Sequence, residues 1–206
     1  MESFINFQSL NTDLLLPKKY LSWSQLNLWN SNKERYIKEY FENQEKLDTK
    51  YLQFGKQNAE ERENRALETG QFTEFELKVI VMGVPVLGYL DFYDQNLNVF
   101  EEDKTGKIPW TQARVQKHDQ IPFYATLLKH SFGKIPEYCV LNWIETEDTI
   151  SESNGPFSNN KGVRKTGKII PFKRELDYRE VERMEELLVK TAVEISDAYK
   201  EWLSDL

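Results

Sequence analysis

Two short runs hold the residues of this chain best suited to chemistry: Gly88-Tyr89-Leu90-Asp91, and Glu102-Asp103-Lys104-Thr105-Gly106. The stretch from Val86 to Tyr93 reads as a strand, Asp94 to Asn98 has the Asp, Gln and Asn content of a loop, and Val99 to Lys104 reads as the returning strand. Side chains alternate along a strand, so Phe100, Glu102 and Lys104 share one face and Val99, Glu101 and Asp103 the other. With Asp91 alongside, two carboxylates and an ammonium converge, an arrangement that core packing does not require. Carboxylate oxygens of this kind suit Mg²⁺ or Mn²⁺, and a water on such an ion is a nucleophile. An acid-x-Lys triplet also arises by chance in a chain with 30% charged residues, so its weight comes from its spacing to Asp91 and from what surrounds it. The acids on the opposite face, Glu101 and Asp103, are unusual for a central strand and predict either an exposed far end or a share in the metal site.

These residues need elements to position them. Met1 to Tyr20 shows little periodicity and reads as an N-terminal arm. Ser22-Trp23-Ser24-Gln25 has the pattern of a capping box, with the Ser hydroxyl on the Gln25 amide and the Gln side chain reaching back. Leu26, Trp29, Ile37, Tyr40 and Phe41 then recur at helical steps, as a helical pair broken near Asn30-Ser31-Asn32, with the aromatics as core. A further helix runs from Tyr51 to about Leu67 and stops at Gly70.

Phe75, Leu77, Val79 and Val81 alternate as a strand, and Gly83 turns the chain into Pro85, giving an antiparallel meander of three strands. Val115, His118, Ile121, Tyr124, Ala125 and Leu128 fit one helix, with Pro122 as a kink or a late start. Tyr138 to Ile144 is a strand, 151–167 a polar mobile loop, and Ile169 to Phe172 a short strand. Tyr178 to Leu206 is an amphipathic helix with Val181, Met184, Leu188, Ala192, Ile195, Tyr199 and Trp202 on one stripe. The order predicts an α/β (α+β) fold, a central mixed sheet flanked by helices, in one domain spanning 1–206.

The 206 residues carry one cysteine, Cys139, and two histidines, His118 and His130. This excludes a disulfide framework, a thiolate zinc site and a cysteine-held cluster within one chain, and argues against zinc chemistry. No apolar run approaches membrane-spanning length and the N-terminus lacks signal-peptide order, so a cytoplasmic protein is expected.

A net charge of −7 opposes a general nucleic-acid coat, yet the cations are unevenly placed. Lys104, Lys107, Arg114, Lys117, Lys129 and Lys134 face the single acid Asp119, and Lys161, Arg164, Lys165, Lys168, Lys173 and Arg174 follow with no acid among them. They describe either a basic channel or scattered solvated charge. In the first case Lys107, Arg114, Lys117, Arg164 and Lys165 are the candidate nucleic-acid contacts.

The order of these motifs resembles the PD-(D/E)XK nuclease superfamily, and within it the RecB-like and phage recombination exonucleases. Ser22-Trp23-Ser24-Gln25-Leu26 is similar to the family's opening Ser-x-Ser-x-Leu. Phe54-Gly55 with the acidic helix after it is similar to the first motif. Gly88-Tyr89-Leu90-Asp91 with Glu102-Asp103-Lys104 matches the second and third, and Gln120-Ile121-Pro122-Phe123-Tyr124 matches the Gln-x-x-x-Tyr that follows. The match covers about Ser22 to Ile144.

The resemblance implies a restriction-endonuclease-like core and Mg²⁺- or Mn²⁺-dependent hydrolysis of DNA phosphodiester bonds. Exonuclease action on single- or double-stranded ends, in phage or bacterial recombination or repair, is expected, with a recombinase or a single-strand-binding protein as a possible partner. By the same resemblance Asp91, Glu102 and the Asp103 carbonyl hold the metal, Lys104 orients the water, and Gln120 and Tyr124 position the site or a phosphate. Where RecB-like members carry His on the first helix this chain has Ala59, and Glu60 is the replacement acid and metal ligand, with Glu63 and Glu61 as alternatives. Relatives with an iron–sulfur cluster need four cysteines, so no cluster is expected. Two other readings use the same fold: a non-catalytic DNA-binding or protein-interaction module, and a structure-specific endonuclease.

Overall fold

The computed structural model describes residues 14–44, 73–150 and 161–206. Among these residues five strands form one sheet in the order β1-β2-β3-β4-β5. They are β1 (Thr73–Val81), β2 (Val84–Asp94), β3 (Val99–Gly106), β4 (Tyr138–Ile150) and β5 (Lys161–Glu175). All neighbours are antiparallel except β3 and β4, which run parallel, so the expected mixed sheet with an antiparallel meander is present. A parallel pair needs a crossover, supplied here by α3 (Gln112–Gln116) and α4 (Gln120–Phe132). Before the sheet come α1 (Trp23–Ser31) and α2 (Lys33–Tyr40), and after it α5 (Tyr178–Ser204).

Local chemistry explains the boundaries. Met82 and Gly83 both have positive φ (46° and 89°), the geometry of a two-residue hairpin turn joining Val81 to its partner Val84. α1 and α2 part at Asn32, whose side chain accepts from the Arg35 amide and caps α2. Ser22 caps α1, but Gln25 does not complete a capping box. Its amide donates to the Tyr20 carbonyl and the Ser22 hydroxyl, and its carbonyl accepts from the buried Tyr36 hydroxyl. On α5 a capping box does form between Asp177 and Glu180, and Val181, Met184, Leu188, Ala192 and Ile195 are buried as the stripe predicts.

Three expectations are corrected. The single helix from Val115 to Leu128 is two helices, because Lys117 closes α3 and α4 restarts at Gln120. Pro122 stands in the first turn of α4, where no amide is needed. The polar loop expected over 151–167 gives way to strand from Lys161 onward, and β4 continues past Ile144 to Ile150. Its polar residues pair across the hairpin instead, with Arg164 on Glu147 and Lys168 on Glu145. β5 is an edge strand carrying Pro171, Lys168 and Lys173. The helix expected from Tyr51 to Leu67, with Phe54-Gly55 and Glu60, lies outside the described residues, as do residues 1–13 of the arm.

β2 is where the fold and the candidate chemistry meet. The edge of β2 that faces away from β1 is shared by two partners. Near its start it pairs with Leu21, which donates to the Pro85 carbonyl (2.8 Å) and accepts from the Leu87 amide (3.0 Å). At its end it pairs with β3 over three residues only, from Phe92↔Glu101 to Asp94↔Val99. The Gly88-Tyr89-Leu90-Asp91 run falls between the two. α4 lies against this gap so closely that a Cβ on Gly88 would stand 2.6 Å from Leu127 Cδ2 and 3.1 Å from Tyr124 Cε1.

Gly88→Ala is therefore expected to destabilise the fold by about 1–3 kcal/mol through overpacking, read as a lower urea midpoint. Adding Leu127→Ala should recover part of that loss, and a full additive loss in the double variant would show that α4 does not rest on Gly88.

Candidate active site at the split in the sheet

Asp91 lies on β2, Glu102, Asp103 and Lys104 on β3, and Gln120 and Tyr124 on α4. Where β2 and β3 cease to pair through main chain, the Asp91 carboxylate accepts the Asp103 amide at 2.7 Å. In an antiparallel pair a residue's N–H and C=O leave the same strand edge, so the Asp103 carbonyl opens on the same gap. Glu102 is buried at 4% exposure. Its Oε1 accepts from Lys104 Nζ at 2.5 Å, while its Oε2 is buried with no hydrogen-bond partner among the described residues.

Lys104 also donates to Gln120 Oε1 at 2.7 Å, and Gln120 Nε2 donates to the Tyr124 hydroxyl at 3.1 Å. A continuous chain thus runs from Tyr124 through Gln120 and Lys104 to Glu102. Gln120 and Tyr124 are one turn apart on the same helix face, and both are buried at 7% exposure.

Burial pushes the Glu102 carboxyl up to about 7, with Asp91 adding to the rise and Lys104 opposing it. Burial, reinforced by Glu102, raises Tyr124 well above the usual phenol range, so its hydroxyl keeps its proton. A buried carboxylate with an unsatisfied oxygen is costly, and a cation placed against that oxygen would relieve the cost. The available donors, two carboxylates and a carbonyl, are the oxygen set that Mg²⁺ or Mn²⁺ takes while keeping water in its other positions. Among the described residues no group of three or more His, Cys, Asp or Glu side chains is placed to hold a metal ion. Glu60, the fourth expected ligand, lies outside them.

On the opposite face of β3, Glu101 and Asp103 share one donor. Asn142 Nδ2 reaches Glu101 Oε2 at 2.9 Å and Asp103 Oδ1 at 3.0 Å. The Asp103 and Glu101 carboxylates are thereby satisfied away from the Glu102 side.

Of the expected DNA contacts, Lys107 follows β3, Arg114 and Lys117 stand on α3 and at its end, and Arg164 and Lys165 on β5. Lys107 pairs with Asp148, Arg164 with Glu147, and Arg114 stacks 3.9 Å from the Trp110 ring centroid. Lys117 is exposed on α3's C-terminal side, and Lys165 is half-buried on β5. Arg174, counted with the basic run, is buried at 1% exposure and is no surface cation. It donates to the Val115 carbonyl (3.0 Å), the His118 carbonyl (2.9 Å) and Glu180 (2.5 Å), fixing the break between α3 and α4.

That break introduces His118, which sequence reasoning placed only in a helical stripe. Its Nε2 lies 3.2 Å from Gln120 Oε1, and its ring packs edge-on against Trp110 and Trp23. The only signal for it in the sequence is its position two residues before Gln120. Burial, together with the Lys104 ammonium, lowers the His118 imidazole to about 4 from an ordinary 6.5.

Held neutral when folded, His118 binds its proton more weakly than in the unfolded chain. Its contribution is complete above pH 6.5 and is lost as pH falls towards 4. Glu102 acts with the opposite sign in the same window, so the difference between proteins is the measurement. His118→Gln should lose less stability than the wild type between pH 6.5 and 4 in urea titrations, and parallel curves would remove His118 from the linkage.

No protein-family model matches this chain, and no curated protein matches it. Among solved structures, a protein provisionally named an exonuclease, from Eubacterium rectale, superposes over 97% of this chain and 88% of its own with a TM-score of 0.52 at 12% identity. A phage-related exonuclease from Haemophilus somnus 129PT covers 88% of this chain and 81% of its own at a TM-score of 0.48 and 12% identity. The first of these likenesses establishes a shared fold, and the architecture of this chain is that of a structure named for nuclease activity.

Proposed function

We propose that this protein is a divalent-metal-dependent deoxyribonuclease acting on DNA ends, in the phage or bacterial recombination or repair setting that its motifs imply. The observation that carries the proposal is the buried Oε2 of Glu102, without a hydrogen-bond partner among the described residues, set beside Asp91 and an ammonium where the sheet divides. A core has no use for such a cluster of like charges, whereas phosphodiester hydrolysis does. The shared fold with an exonuclease-named structure supports the reading.

Asp91, Glu102 and the Asp103 carbonyl would hold the ion, with Glu60 as a further ligand. A bound Mg²⁺ or Mn²⁺ supplies charge stabilisation at a phosphate oxygen and makes water a stronger nucleophile. The chain's own contribution is positional. Glu102 and Gln120 hold the Lys104 ammonium from two sides, so it enters the reaction without reorganising, oriented to bind the attacking water and offset charge growing on the phosphate. Tyr124, protonated throughout the working pH range, fixes the Gln120 amide so that its oxygen stays on Lys104.

End-labelled linear single- and double-stranded DNA and a circular control, each with Mg²⁺, Mn²⁺ or chelator, test the reading. Degradation of linear DNA with intact circles is expected, abolished by chelator and restored by Mn²⁺. Asp91→Ala and Lys104→Ala should each lower the rate by at least ~100-fold, the scale of losing one electrostatic group from a preorganised site, while melting cooperatively. Cleaved circles would make the protein an endonuclease, and inert protein under every condition would make it a binding module.

A further inference from the structure

Beside the candidate centre lies an open cavity of about 370 Å³ that shares Gln120 and Tyr124 with it. It is lined by the aromatic residues Tyr20, Trp23, Tyr89 and Tyr124, by Leu87 and Gly88, and by the polar residues Ser22, Ser24 and Gln120. Among the described residues its polar lining is neutral, with no lysine or arginine.

Two of the lining aromatics, Trp23 and Tyr89, are held by defined contacts. Trp23 packs against Phe123 with ring centroids 5.8 Å apart, and against His118 at 6.1 Å. Tyr89 is 48% exposed, yet its hydroxyl donates to Glu76 Oε2 at 2.7 Å, and Glu76 is itself paired with Lys78 at 2.7 Å. Aromatic surfaces fixed in this way lose little freedom on binding. Flat faces with neutral hydroxyl and amide groups at their edge fit a nucleobase, which offers a π-face to stack and a polar rim to hydrogen-bond.

We propose that this cavity receives the unstacked base of a nucleotide adjoining the scissile phosphate, making the protein selective for single-stranded or frayed DNA ends. A base inside a duplex is stacked on both sides and cannot enter, so the cavity discriminates by strand state and leaves sequence unread. The inference rests on the nuclease reading for its location but not for its test.

Binding is measured by fluorescence anisotropy in chelator, using the full-length protein and a labelled oligothymidylate. A second oligonucleotide carries an abasic tetrahydrofuran residue at its terminal position. The abasic end should bind roughly tenfold more weakly, the scale of one base stacked on an aromatic side chain. Tyr89→Ala and Trp23→Ala should each weaken the intact oligonucleotide by a similar factor and leave the abasic one unchanged. Tyr89 is exposed, so its variant remains informative should Trp23→Ala fold poorly. Equal affinity for the two ends would overturn the proposal, even if the protein cleaves DNA. Base-dependent binding without cleavage under any metal would uphold it and dismiss the nuclease reading instead.

Discussion

The hydrogen bond from the Asp103 amide to the Asp91 carboxylate is the contact on which the local architecture turns. β2 cannot pair with β3 along its whole length, because Leu21 occupies the earlier part of the same edge. A part-buried amide left between two parting strands needs an acceptor, and here a side chain supplies it in place of main chain. The acid is thereby fixed at the mouth of the gap, next to the strand that carries Glu102 and Lys104. Gly88, three residues earlier, lets α4 descend until Tyr124 and Gln120 meet those two residues. The short arm before α1, the glycine, the acid and the helix depend on one another through this division of a single strand edge.

Within that frame the charges are arranged at some cost to the folded state. Glu102 is driven towards neutrality by burial, and Lys104 is drawn between it and Gln120 instead of extending to solvent. A protein selected for stability alone would replace Glu102 with an apolar side chain of similar size. Arg174 shows the supporting half of the arrangement. It is buried and held by two carbonyls and Glu180, and it ties β5 and the start of α5 to the chain break that delivers His118 and Gln120.

The sequence disclosed the parts of the site that are close in the chain. Glu102 and Lys104 face one way because strands alternate, Gln120 and Tyr124 because helices turn every 3.6 residues, and the loop from Asp94 to Asn98 brings Asp91 back towards both. What escaped it depends on distant partners. The break between α3 and α4 is set by Arg174, 56 residues beyond His118, and no local pattern announces it. The length of β4 and β5 was hidden because Thr146, Glu147, Arg164 and Lys165 look like loop residues until they are placed opposite one another across the hairpin. The aromatic cavity was equally invisible, assembled as it is from the arm, α1, β2 and α4.

The composition of β5 carries a last consequence. A strand at the margin of a sheet offers unpaired amides and carbonyls to any other extended chain. Pro171 removes one such donor, and Lys168 and Lys173 set positive charge along the same border. A neighbouring molecule is therefore discouraged from continuing the sheet at this side. Higher-order assembly built on β5 would have to use side-chain surfaces instead of shared backbone ladders, and the same guard lowers the tendency of the long, polar hairpin to seed fibrils.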